Sequence, residues 1–183
     1  MERKTTVINL LGGSGIGKST TAAGIFHQFK LENVSCELVT EYVKTWAWEG
    51  RNISELDQFY ITGKQSRYES RLYGKVDYII TDSPVMLGAF YEFEYAGEAL
   101  VTGKWSEAFL EFAKTRYGVQ HDYFLLKRLK PYRQDGRFQN EKEARALDDA
   151  IEEYLIKNNI PYTVIDIPDE DRPNWFLEHY ELI

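Results

Sequence analysis

The chain has 183 residues, 43% hydrophobic and 28% charged, an ordinary globular composition with enough length for one sizeable core, so disorder is not expected. The formal charge of -7 argues against bulk electrostatic binding to nucleic acid, which needs a basic face. No apolar run reaches membrane-spanning length and no signal-peptide pattern opens the chain, so no membrane contact and a cytoplasmic location are expected. The lone Cys36 has no partner for an internal disulfide and reads as a small buried residue.

The first element is a β-branched, apolar run from Thr5 to Leu11, the signature of a buried parallel strand. Gly12-Gly13-Ser14-Gly15-Ile16-Gly17-Lys18-Ser19-Thr20 follows and fits Gly-x-x-x-x-Gly-Lys-[Ser/Thr], the phosphate-binding P-loop. Residues 20–29 then place Ala22, Ile25, Phe26 and Phe29 at helical spacing, so strand, loop and helix stand in the order the motif needs. A polyphosphate needs several backbone N–H groups turned inward, and glycine adopts the required dihedrals without a clashing Cβ. Residues Gly13 to Thr20 are therefore expected to hold a nucleoside triphosphate, with Lys18 reaching its β/γ-phosphates and Ser19 ligating Mg²⁺.

A second strand, Cys36–Thr40, leads into Glu41-Tyr42-Val43-Lys44-Thr45-Trp46-Ala47-Trp48. Ligands of parallel sheets gather at the carboxyl ends of strands, so Glu41 is placed to accept a hydroxyl proton. Tyr42, Trp46 and Trp48 could stack on a planar acceptor. A helix is expected over 54–73, with Ser54 as N-cap; Asp57 and Gln58 on it could face the acceptor or solvent. The third strand, 77–82, ends on Asp82, where a carboxylate can hold Mg²⁺ through water or orient the nucleophile. Glu41 and Asp82 thus compete for the role of base. Ser83-Pro84 opens the next helix.

Another helix is expected over 105–117 and a fourth strand over 122–126. Lys127, Arg128, Lys130, Arg133 and Arg137 then fall within eleven positions lacking apolar periodicity, the pattern of a basic lid over about 127–140. Arg133 and Arg137 are its candidate phosphate ligands, because guanidinium binds phosphate bidentately. Asn140 and Glu143 form a capping box for a helix over 141–157, and 161–166 reads as a fifth strand. His27, His121 and His179 have no metal or triad spacing. Alternating strands and helices predict one α/β domain over 1–183, a three-layer P-loop NTPase sandwich around a parallel five-stranded sheet.

These residues resemble the small P-loop kinases that include the ribosylnicotinamide kinase domain of NadR-type bacterial proteins. The resemblance rests on the P-loop, Glu41-Tyr42, Asp82 with Ala89-Phe90, Leu125-Leu126-Lys127, and Asp135-Gly136 before Arg137. Glu41 to Trp46 is loosely similar to the Glu-Pro-Val and Trp segment of deoxynucleoside kinases, whose glutamate is the base. Here Tyr42 replaces the proline, and Asp82-Ser83-Pro84 replaces their Asp-Arg or Glu-Arg-Ser motif. The nucleotidyltransferase domain of NadR-type proteins has no counterpart. The size also resembles phage-encoded members, some of which phosphorylate hydroxymethylated bases in DNA. The resemblance implies an ATP- and Mg²⁺-dependent kinase using Lys18, Glu41, Asp82, Arg133 and Arg137 on a small hydroxyl-bearing, nucleoside-like acceptor. DNA as the acceptor and a non-enzymatic NTP-binding module are the rival readings.

Overall fold

The structure, a computed structural model, describes residues 3–53, 55–96, 101–133 and 139–183. Five strands, β1 (Thr6–Leu11), β2 (Cys36–Val39), β3 (Tyr78–Thr81), β4 (Gln120–Leu126) and β5 (Thr163–Ile165), form one sheet in the order β2-β3-β1-β4-β5. Every neighbouring pair is parallel, which the intervening helices permit by carrying each crossover. β1 sits at the centre, and its burial from Val7 to Leu11 explains its unbroken apolar run.

Side-chain alternation on β1 assigns its residues to two layers. Ile8 and Leu10 pack with Ile25 and Phe29 of α1 (Lys18–Leu31) and with Phe176 and Leu177, which lie on a helix over Arg172–His179. Val7 and Leu11 face the opposite layer, which contains α3 (Glu55–Ser70), α4 (Met86–Ala96), α5 (Val101–Tyr117) and α6 (Glu141–Lys157). A short α2 (Lys44–Trp48) follows β2, and the Arg172–His179 helix is α7. The result is the expected α/β/α sandwich.

Neither α2 nor α7 is visible in the periodicity. At five residues, α2 is too short for an apolar stripe, whereas α7 is announced only by Pro173 in its first turn. Helix α5, described from Val101, extends at least four residues before the expected 105, and the Glu92 carboxylate accepts the backbone N–H groups of Thr102 and Gly103, both at 2.8 Å. The capping box forms as read. Asn140 accepts the Glu143 N–H at 3.0 Å and gives its own to Glu143 at 2.8 Å. Cys36 is fully buried, which pushes its thiol up to about 11. Ser54 lies outside the described residues. Among those that are described, no helix is long and apolar enough to cross a membrane.

Candidate functional site

The carboxyl ends of β2, β3 and β1 lie side by side, so the segments after them share one cleft of about 310 Å³. On one side the P-loop contributes Ser14, Gly15, Gly17, Lys18, Ser19 and Thr20. Gly17 has φ 105°, and a Cβ there would lie 2.6 Å from the Asp169 carboxylate; only glycine fits. Lys18 turns its ammonium onto the carbonyls of Gly12 and Gly13, at 2.6 and 3.0 Å. Burial lowers the Lys18 pKa, against the opposing pull of Glu41, Asp82 and Asp148.

Gly13 and Ile16, also expected at the phosphates, are not among the residues that line the cleft. Gly13 donates its N–H to Asp148 of α6 at 2.6 Å, and a Cβ on it would strike the Ala144 carbonyl at 2.3 Å. Ile16 is buried in the α1–α7 core. Both residues fix the shape of the loop from behind.

Three side chains do the same: Asp148 and Arg172, to which sequence reasoning gave no role, and Arg128, which it placed in the basic lid. Asp148 also accepts from Arg128 at 2.8 Å, and Arg128 donates to the Ser14 carbonyl at 2.9 Å. Arg172, fully buried, donates to the carbonyls of Ile16, Ile167 and Lys127 and to the Thr21 hydroxyl, and pairs with Asp169 at 2.7 Å. A buried guanidinium with this many partners is held rigidly, because any lost partner leaves a desolvated charge.

On the other side of the cleft, Asp82 is buried and accepts the Glu41 N–H at 2.9 Å. Gln65 of α3 clamps the same segment, accepting from the Tyr42 N–H at 3.1 Å and donating to the Thr40 carbonyl at 3.4 Å. The Glu41 side chain is partly buried. Burial raises its pKa, Lys18 opposes the rise, and Asp82 adds to it. The cleft therefore holds a carboxylate whose basicity is raised. Beyond Glu41 the wall is mixed, with Lys44, Trp48, Ile53, Gln58, Ile61, Thr62 and Tyr91.

The expected residues converge unevenly. Lys18, Ser19, Glu41 and Asp82 line one cleft, as does Gln58. Trp48 lines it too, whereas Tyr42 and Trp46 do not. Within the basic segment Lys130 reaches the cleft and pairs with Asp169. Arg133 is exposed and is not among the lining residues, and Arg137 lies outside the described residues. Among the described residues no group of three or more His, Cys, Asp or Glu side chains could hold a metal by itself.

A family model described as an AAA domain matches residues 7–172. The chain belongs to that family. No curated protein matches the sequence. Among solved structures, this AAA domain is similar to the NadR protein in complex with NR, with TM-score 0.63 and 14% identity over 89% of this chain and 46% of that one. It is also similar to the Mycobacterium tuberculosis APS kinase CysC in complex with AMPPNP and APS, with TM-score 0.54 and 11% identity over 98% and 99%. A third similar structure, titled APE1195, has TM-score 0.53 and 15% identity over 100% and 98%. The chain thus spans less than half of the NadR protein. These likenesses show a P-loop fold that kinases also use.

Proposed function

We propose that this protein is an ATP-dependent kinase that transfers the γ-phosphoryl group to a hydroxyl of a nucleoside-like acceptor. One observation carries the reading: a carboxylate of raised pKa, Glu41, lies in the same cleft as Lys18 and Ser19, on the side away from the P-loop. A hydrolysing module could use such a base on water but has no use for the second, partly apolar compartment beside it, whereas a kinase needs both.

In this reading the loop amides and Lys18 hold the triphosphate. Ser19 and Asp82 hold Mg²⁺, which supplies charge neutralisation at the β- and γ-oxygens. Glu41 takes the acceptor's hydroxyl proton as that oxygen bonds to the γ-phosphorus; the bond from phosphorus to the β,γ-bridging oxygen breaks, and ADP leaves. Sheet order supports this division of roles, because β3 lies between β1 and β2. Asp82 therefore stands next to the P-loop and Glu41 one strand further towards the acceptor. Lys130 is the basic-segment residue at the cleft, and Arg133 with Arg137 would join it on bound phosphates. The NadR and APS kinase likenesses support a small acceptor.

The deciding experiment offers labelled ATP with nucleosides, nicotinamide riboside, nucleoside monophosphates and hydroxymethylated DNA in parallel. Label should appear in one acceptor class. ATP turnover indifferent to every acceptor would reject the kinase reading. Asp82→Asn should raise the Mg²⁺ concentration needed for half-maximal rate, and Glu41→Gln should not.

A further inference from the structure

A second cavity, of about 880 Å³, lies towards the amino ends of β4 and β5, and no described residue lines both it and the cleft. It arises because α5 packs against α3 and α4 rather than against α6, which leaves the first part of β4 uncovered between α5 and α6. His121 and Tyr123 of β4 line it, with Met86 of α4, Leu110 of α5 and Tyr154 of α6 around them. A cavity of this size can bury most of a small organic molecule. Its charges are few and uneven. Glu107 and Glu111 are four residues apart, so they share one face of α5, and both line the cavity, whereas Lys114 is the one cation among the described lining residues. His121 adds no charge at neutral pH, because burial lowers its pKa to about 4. Glu111 already accepts the Thr115 hydroxyl at 3.0 Å. Glu107 has no hydrogen-bond donor or cation paired with it among the described residues. Burial raises the Tyr154 pKa and the Glu107 carboxylate adds to the rise, so the carboxylate of α5 and the phenol of α6 lie near one another at the cavity.

We infer that this cavity binds a small organic ammonium ion, its nitrogen held by Glu107 and the Tyr154 hydroxyl and its apolar body against Tyr123, Leu110 and Met86. A carboxylate and a phenol oxygen both accept from an ammonium, and a hydrogen bond between two ionised partners is the stronger kind. The apolar body then removes the side chains of β4, α4 and α5 from water, which supplies the rest of the affinity. An organic anion in the same place would lie beside Glu107 and could be met only by Lys114, two turns further along α5 towards Gly118 and Gln120. A bare metal ion would leave the apolar walls unused, and among the described residues no group of three or more His, Cys, Asp or Glu side chains could hold one. Binding at this cavity does not rest on the kinase reading.

Fluorine NMR titration of para-fluorophenethylamine with the full chain, without ATP, tests the site. Saturation is expected with a Kd of about 1 mM or tighter, the range for a ligand of this size. Glu107→Lys should weaken binding by about tenfold, because it exchanges an attraction for a repulsion of similar size. Its thermal melt should match the parent's, since Glu107 is exposed. The cleft also holds carboxylates, so Glu41→Gln serves as the control for location and should leave binding unchanged. The propionate with the same fluorophenyl body should bind about tenfold more weakly than the amine. No saturation by about 10 mM, equal binding by Glu107→Lys, equal binding of the propionate, or loss of binding in Glu41→Gln would each overturn the inference.

Discussion

The two halves of the cleft are built in opposite ways. The P-loop half is a backbone structure held from behind: Asp148, Arg128 and Arg172 grip the loop's amides and carbonyls, and none of them lines the cleft. The acceptor half is made of side chains: Lys44 and Trp48 of a short helix, and Gln58, Ile61, Thr62 and Gln65 on the inner face of α3. A triphosphate presents the same oxygens whatever its partner, so its cradle can be rigid. On the kinase reading the acceptor varies in shape, and replaceable rings and amides such as Trp48 and Gln58 would set specificity there.

Four substitutions test that contrast. Lys18→Ala has the largest expected effect: it removes the cation placed at the loop, so transfer should fall by about 10³-fold or more while the thermal melt stays unchanged, as assay and calorimetry would show. Near-normal turnover would break the contrast at its root. Glu41→Gln comes next, at roughly 10²–10⁴-fold in transfer with ATP binding intact. Because burial holds the Glu41 carboxyl above its ordinary range, the acid limb of kcat/KM should lie above that range in the parent and in Glu41→Asp, and vanish in Glu41→Gln.

Arg172→Ala should cost about 3–5 kcal/mol in stability, the usual loss when a buried charge network is broken, and should weaken ATP binding from outside the cleft. A change in binding without a change in stability would mean that the guanidinium does not act by holding the loop.

The smallest effect concerns the floor beneath the acceptor half. Glu69 of α3 is buried against Tyr73 and lies 3.8 Å from His121, and burial pushes its carboxyl up to about 7. Its folded form therefore holds a proton that the unfolded chain releases near the ordinary value of 4.5, so stability falls as pH rises from about 4.5 to 7 and levels off above. Burial also lowers His121 to about 4, which adds stability as pH rises towards 6.5, so the wild-type curve is flattened over the shared range. Glu69→Gln removes only the first effect. Its advantage over the parent should grow from pH 5 to pH 8 by about 3 kcal/mol, measured by denaturant titration at each pH.

The sheet was legible because β1 is buried on both faces and reads as one apolar run, and the P-loop because its glycines meet a steric demand that no other residue satisfies. Glu41 and Asp82 were legible as polar residues just past strands. Arg172, Asp148 and Gln65 were not, because their work depends on which backbone groups the chain folds against them, and helix periodicity carries no record of that. The basic segment shows the converse. Five cations in eleven positions suggested a single mobile unit, yet Lys127 pairs with Glu152 and Arg128 is locked to Asp148. Its first residues are anchored scaffold.

The tie between Arg172 and the carbonyl of Ile16 has a consequence for biosynthesis. The side chain that fastens the P-loop is translated 156 residues after the carbonyl it holds. A nascent chain can pair β1 with β3 and β4 while still on the ribosome, but its cradle stays unfastened until residue 172 has left the exit tunnel. On the kinase reading, affinity for ATP should accordingly rise in one step once residue 172 is free to fold back, and stalled chains of increasing length would show it.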